Sequence, residues 1–167
     1  MFKAGEGAGK SGSFFFHSFD KKFLIKTMTR NEHKKFQKIA DGYIEHFRNH
    51  PNSLLSKILG VFKVKISTAG HVYLMLMENT LQFRNEDNID FIFDLKGSTY
   101  KRKFKGQVKK TSTFKDMNLL IATKANPQLI TLGKRTRDKV VDVIRADMSF
   151  LRKHNIIDYS LLLGIET

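Results

Sequence analysis

An α+β fold with an antiparallel sheet is what this sequence predicts, and three observations predict it. Short aromatic and aliphatic runs bounded by turn residues come first, a segment of helical period separates them from further strand-like runs, and a mainly helical stretch follows. Strands and helices are thus segregated, without the regular strand–helix–strand alternation of a parallel sheet. Neither an internal repeat of fixed period nor a Pro- or Ser-rich linker interrupts the 167 residues, a length that predicts one compact unit.

The opening GEGAGKSGS is glycine-rich, and SFFFHSF, a turn at Asp20-Lys21-Lys22 and FLIKT then read as a strand pair. From Thr29 the period changes. Phe36, Ile39, Ala40, Tyr43, Ile44 and Phe47 fall at helical spacing, and Thr29 with Glu32 fits a capping box. This helix should end near His50, ahead of Pro51. Phe62, Val64 and Ile66 alternate with lysines, Ser67 to Gly70 supply a turn, and HVYLMLM gives a more buried partner strand. After polar residues 84–88, IDFIFDL reads as a strand leading into a basic stretch. Beyond a loop holding Asn126-Pro127, Val140, Val141, Ile144, Met148 and Leu151 mark an amphipathic helix. The tail IIDYSLLLGI is apolar apart from Asp158, Tyr159 and Ser160.

Charge narrows the function classes. Thirty Lys and Arg against 16 Asp and Glu give +14, so an anionic partner is expected. Eight of the cations (Lys96, Lys101, Arg102, Lys103, Lys105, Lys109, Lys110 and Lys115) stand between 96 and 115 with no acid among them. That is a footprint for phosphate groups, on nucleic acid or on a lipid surface, or else a solvated loop. No apolar run approaches the roughly 18 residues of a membrane span, and the N-terminus lacks the apolar stretch of a signal peptide. Without cysteine there is no disulfide framework and no cysteine-ligated zinc, and the cytosol is the default compartment. His46 and His50 share a helix face but have no third ligand in the sequence pattern, so they read as solvated.

Gly7-x-Gly9-x-x-Gly12 has phosphate-binding spacing, but strands rather than a helix follow it, which fits neither a dinucleotide fold nor a P-loop. What remains is a glycine-rich turn between strands whose N–H groups can fold over a triphosphate, with a flexible segment over residues 1–8 as the alternative. A cation should then rise from the next strand. Lys26 in FLIKT meets that requirement, pointing off an otherwise apolar strand; an edge lysine that snorkels to water is the plainer reading.

Gly9-Lys-Ser-Gly-Ser-Phe-Phe, Phe-Leu-Ile-Lys26-Thr27, Asp94-Leu-Lys-Gly-Ser-Thr-Tyr-Lys-Arg102, Thr113-Phe-Lys-Asp116 and Ile157-Asp-Tyr-Ser-Leu-Leu162 resemble, in order, the phosphatidylinositol phosphate kinases. The ending STYKR is similar to the phosphatidylinositol 4-phosphate 5-kinase branch. The resemblance implies a kinase-like fold, here an antiparallel-sheet amino lobe with its helix and the beginning of a carboxyl lobe. It implies transfer of the γ-phosphate of ATP, with Mg²⁺, to an inositol hydroxyl of a phosphoinositide, and residues 9–167 become a partial catalytic domain. Carried over, it makes Asp158 the catalytic aspartate and Lys96 a cation near the transferred phosphate. Gly9, Ser11, Gly12 and Ser13 become the loop over ATP, Lys26 the phosphate-contacting lysine, and Met77 to Asn79 the segment that meets adenine. Asp94 either orients Lys96 or approaches metal. Glu32 is a candidate partner for Lys26, although its capping position already explains it.

Lys101, Arg102, Lys103 and Lys105 are the expected contacts to lipid on an anionic membrane, at whose cytosolic face such a protein works; no nucleic acid is expected. A noncatalytic basic module that binds membrane or nucleic acid explains the charge equally well, yet leaves Lys26 and Asp158 without a role. Two departures stand out. Leu163 sits where protein kinases place an asparagine. The family's metal-binding aspartate and lipid-selecting loop are also absent from these 167 residues, so the fragment alone is expected to be inactive and to expose an apolar strand over residues 160–165.

Overall fold

A computed structural model describes residues 3–4, 13–67, 70–83, 88–109 and 112–166. Where length predicts one compact unit, the chain forms two, Met1–Gln82 and Phe83–Thr167, each with its own sheet. Length alone does not reveal the split, because neither unit carries a linker-like composition at its edge.

The first unit is an antiparallel sheet in the order β1-β2-β3-β5-β4, built from β1 (Lys3–Ala4), β2 (Phe15–His17), β3 (Phe23–Met28), β4 (Ile58–Ile66) and β5 (Gly70–Glu78). Of the segment expected to be flexible, residues 3 and 4 pair with β2, and the remainder lies outside the described residues. Gly70, with φ of +73°, admits the chain to β5 in a left-handed conformation that side chains rarely adopt. Helix α1 (Arg30–Asn49) connects β3 to β4. Its capping box is present: Thr29 Oγ1 accepts from the Glu32 N–H at 3.1 Å, and Glu32 Oε2 accepts from the Thr29 N–H at 2.6 Å.

Tyr43 ties the far end of α1 to the sheet. It is 8% exposed, donates to the Ser56 carbonyl at 2.7 Å and accepts from the Ile58 N–H at 2.8 Å, just where β4 begins. Among the described residues two histidines are buried, and one of them, His46, departs from the solvated reading. His33 is buried with its ring 4.9 Å from that of Tyr73, and His46 is buried against Phe47 and His50. The imidazole works here as an apolar body with a polar tip, which composition alone does not disclose.

The second unit has the strand order β7-β6-β8, from β6 (Ile89–Leu95), β7 (Thr113–Lys115) and β8 (Leu161–Glu166). Phe93 of β6 is 1% exposed and sits among Phe91 and Phe114, which Phe104 in turn approaches. The expected antiparallel sheet is that of the first unit; the second unit adds a parallel pair, β6 with β7. β6 and β7 are far enough apart in sequence for the crossover that parallel pairing requires, and a three-residue strand is too short to show a period. Helix α2 (Asp116–Ala125) follows β7 directly and is also new. Its run MNLLIATKA has no clear apolar face, and Leu120 and Ile121 stand half exposed. Helix α3 (Lys134–Lys153) covers the expected amphipathic segment and buries Phe150 and Leu151.

Candidate active site

The topology of the second unit brings three separated segments to one end of its sheet. Parallel β6 and β7 both finish there, Asp94 facing Lys115, while antiparallel β8 starts there, Leu161 facing Leu95. Lys96 follows β6, Asp116 follows β7, and Asp158 precedes β8. The chain reaches Asp158 through a turn after α3, in which the Ile156 N–H donates to the Leu151 carbonyl at 2.9 Å and Asn155 has φ of +50°. Asp158 itself is left-handed, with φ of +61°, a conformation that aspartate and asparagine tolerate better than most side chains.

Lys96 and Asp158, the two expected catalytic residues, form an ion pair between Nζ and Oδ1. Asp158 is largely exposed, and the donated hydrogen bond and charge of Lys96 hold its carboxyl below the usual carboxylate range. It is therefore an ionised acceptor, open to an incoming hydroxyl. Leu163 lies inside β8 opposite Phe93, so the position that carries asparagine in protein kinases is a strand position here.

Beneath this pair lies a second network that the sequence reading missed. Asp116 Oδ1 accepts from the N–H groups of Lys96 at 2.9 Å and Gly97 at 2.8 Å, and Oδ2 accepts from Arg102 Nε at 2.7 Å. Arg102 Nη2 donates to the Asp94 carbonyl and, at 3.1 Å, to Asp94 Oδ1. Burial pushes the Asp116 carboxyl up, but Arg102 and the backbone N–H groups more than offset it and bring it down to about 2. The signal was present in the sequence as the one acid that closes the basic run, in Thr113-Phe-Lys-Asp116.

Two expectations change in consequence. Arg102 is not a free surface cation for lipid: its side chain is 14% exposed and its charge is answered by two carboxylates. Asp94 does not orient Lys96: its Oδ1 faces the Arg102 guanidinium; among the described residues no three His, Cys, Asp or Glu side chains group as metal ligands. The other lipid-facing candidates, Lys101, Lys103 and Lys105, are exposed, and Lys101 Nζ lies 5.0 Å from the ring centre of exposed Tyr100.

In the first unit, Lys26 lies in the middle of β3, flanked by Phe15 and Met75. Its Nζ is 3.9 Å from Glu32 Oε1, so Glu32 serves both cap and lysine, one oxygen for each. Thr27 beside it takes the N–H of Phe14 on its hydroxyl at 2.9 Å, which holds the end of the glycine-rich segment against β3. Ser13 is buried there; Gly9, Ser11 and Gly12 lie outside the described residues. At the end of β5, Met77 is half-buried between Leu24 and Ile58. Asn79 gives its amide to the Lys21 and Leu81 carbonyls, and the N–H groups of Glu78 and Asn79 go to Lys57 and Lys22. The Asn79 side chain therefore shapes the exit from β5 rather than standing free for a base.

Residues 2–167 match the family model described as Phosphatidylinositol-4-phosphate 5-Kinase. A probable phosphatidylinositol phosphate kinase of Dictyostelium discoideum is 39% identical over 94% of the chain, which spans 21% of that relative. The phosphatidylinositol 4-phosphate 5-kinase its3 of Schizosaccharomyces pombe is 37% identical over 96% of the chain and 21% of its own length. The type-1 beta phosphatidylinositol 4-phosphate 5-kinase of Gallus gallus is 35% identical over 94% of the chain and 28% of its own length. The chain thus spans between about a fifth and somewhat over a quarter of these three relatives, and across nearly all of its own length it belongs to the phosphatidylinositol-4-phosphate 5-kinase family.

Proposed function

We propose that this chain supplies the phosphate-handling part of a lipid kinase that moves the γ-phosphate of ATP to an inositol hydroxyl of phosphatidylinositol 4-phosphate, giving the 4,5-bisphosphate. The observation that carries the reading is the Lys96–Asp158 pair at the convergent strand ends. In the step proposed, the hydroxyl oxygen forms a bond to the γ-phosphorus, the bond to the ADP oxygen breaks, and the hydroxyl proton passes to Asp158. Because Lys96 keeps Asp158 ionised and weakly basic, the carboxylate chiefly orients the hydroxyl and takes the proton late, once the new bond has acidified it. Lys96 then lies beside the oxygens over which charge spreads.

Lys26 fits the role of a contact to the nucleotide phosphates, being a half-buried cation whose ion-pair partner among the described residues, Glu32, is at 3.9 Å. Mg²⁺ bound with ATP would neutralise phosphate charge, and Asp94, whose Oδ1 faces Arg102, would have its Oδ2 to offer it. Lys101, Lys103 and Lys105 dock the protein on the cytosolic face of an anionic membrane. At about 1 kcal/mol for each cation they contribute roughly 3 kcal/mol, a reversible and salt-sensitive attachment.

The test uses the full-length gene product and the 167 residues separately, with Mg-ATP and vesicles containing phosphatidylinositol 4-phosphate. The full-length protein is expected to form bisphosphate and its Asp158→Asn variant to lose that activity. Residues 1–167 alone are expected to bind nucleotide without turnover, since the resemblance places the metal-binding aspartate and lipid-selecting loop outside them. No product from the full-length protein, or full activity in the variant, overturns the reading.

A further inference from the structure

Asp116 touches neither ATP nor lipid in the reading above, yet its carboxylate has one of the densest sets of donors in the second unit. It stands at the first residue of α2, where the helix dipole favours negative charge. Both oxygens are used: Oδ1 by successive N–H groups of Lys96 and Gly97, Oδ2 by Arg102. Gly97 has φ of +68°, the left-handed conformation that turns neighbouring N–H groups toward one anion. What such a concavity captures elsewhere as a ligand is here an internal carboxylate. The Met117 N–H adds a bond to the Arg102 carbonyl at 2.9 Å, and Asn118 Oδ1 accepts from the Phe104 N–H at 2.7 Å, so the first turn of α2 holds the crossover at several points.

Lysine has a flexible four-carbon stem, so where its ammonium sits depends on how firmly its own backbone is held. For Lys96 that hold comes from Asp116. We propose that Asp116 is a positioning residue: by gripping the N–H groups of Lys96 and Gly97 and the guanidinium of Arg102, it sets the place of the Lys96 ammonium against Asp158. The proposal rests on the lipid-kinase reading for its catalytic consequence, but not for its geometric one.

A double-mutant cycle separates positioning from general support of the fold. In the full-length protein, Asp116→Ala is expected to lower kcat about 100-fold, the scale of a displacement of about 1 Å, with KM for ATP changed by less than about twofold. In a Lys96→Ala background the same change should cost less than about threefold, because the group it positions is gone. Asp116→Asn retains an acceptor for the two N–H groups and is expected to recover about tenfold of the loss; should the alanine variant fail to fold, it carries both readouts. A second arm needs no activity: NMR titration of the Asp158 carboxyl in the 167-residue chain. The charged groups acting on Asp158 are Lys96 and Arg102. Asp116→Ala and Lys96→Ala should each raise its midpoint, and the double variant should raise it little beyond Lys96→Ala alone. Equal losses of kcat in both backgrounds, or an unmoved Asp158 midpoint in folded Asp116→Ala, overturn the proposal. If the full-length protein makes no product, the kinase reading falls, while the titration still decides whether Asp116 places Lys96.

Discussion

Replacing Lys26 by methionine separates a lysine that serves a ligand from one that serves the fold. The Lys26 and Glu32 side chains are 27% and 45% exposed and their charged atoms lie 3.9 Å apart, so the pair contributes at most about 1 kcal/mol. Methionine keeps the length and apolar stem, and Glu32 keeps its 2.6 Å bond to the Thr29 N–H. Unfolding free energy should therefore change by no more than about 1 kcal/mol. Nucleotide binding should change far more, because charge-assisted hydrogen bonds to phosphate are worth about 1.5–3 kcal/mol, or roughly 10- to 150-fold in Kd. Glu32 variants sharpen the contrast. Glu32→Gln retains an acceptor for the cap and should leave both quantities nearly unchanged, whereas Glu32→Ala also removes the cap and should cost about 0.5–2 kcal/mol of stability. Calorimetric titration with Mg-ATP and urea unfolding of the four proteins decide the matter. Unaltered ATP affinity in Lys26→Met, or a loss of stability above about 2 kcal/mol, would make Lys26 a structural residue.

Tyr43→Phe removes a donor to Ser56 and an acceptor for Ile58 and should destabilise the first unit by about 1–3 kcal/mol in urea unfolding; a change below about 0.5 kcal/mol contradicts the pinning role. Burial pushes the Tyr43 phenol up to about 12, so its contribution is complete below pH 10 and lost as pH rises toward 12; Tyr43→Phe should lose less stability over that range. Asp116 runs the other way. With its carboxyl lowered from 3.8 to about 2, it contributes about 2 kcal/mol above pH 4 that disappears as pH falls toward 2, and Arg102→Gln should flatten that acid limb. Thermal melts of Asp158→Asn and Asp158→Ala should differ by about 1 kcal/mol, since asparagine accepts φ of +61° and alanine does not; identical melts would argue that this backbone relaxes freely.

The first unit was largely legible because its signals are local. Alternation in Phe62, Val64 and Ile66, the spacing of α1 and the Thr29–Glu32 box each lie within a few residues, and each appears as an element in the structure. The second unit was less so, because what organises it is distant in sequence. A three-residue β7 has no period, α2 has no apolar face, and the parallel pairing of β6 with β7 shows only when the crossover is traced. The motif around Asp158 and the motif around Lys96 were visible as motifs, but nothing local links residues 62 positions apart. Asp116 is hard to single out for the same reason: its partners lie 14 to 20 residues earlier in the chain.

Charge counted along the sequence also differs from charge available on the fold. The window from 96 to 115 holds eight cations and no acid, which on its own predicts a membrane attraction of about 8 kcal/mol at 1 kcal/mol each. Folding changes that sum by closing the window on itself, so that Asp94 just before it and Asp116 at its end meet around Arg102, and Asp158 answers Lys96. Lys110 lies outside the described residues, and Lys115 is half-buried at the start of α2. Of the seven described cations in the window, Lys101, Lys103, Lys105 and Lys109 remain exposed, giving about 4 kcal/mol where all seven would give about 7 kcal/mol. The difference, about 3 kcal/mol, is roughly 150-fold in membrane affinity. The lipid kinase proposed above would need an attachment it can leave, and the internal pairing of Arg102 and Lys96 brings a strongly basic loop into that range while placing one of the two cations beside Asp158, the proposed acceptor of the substrate hydroxyl.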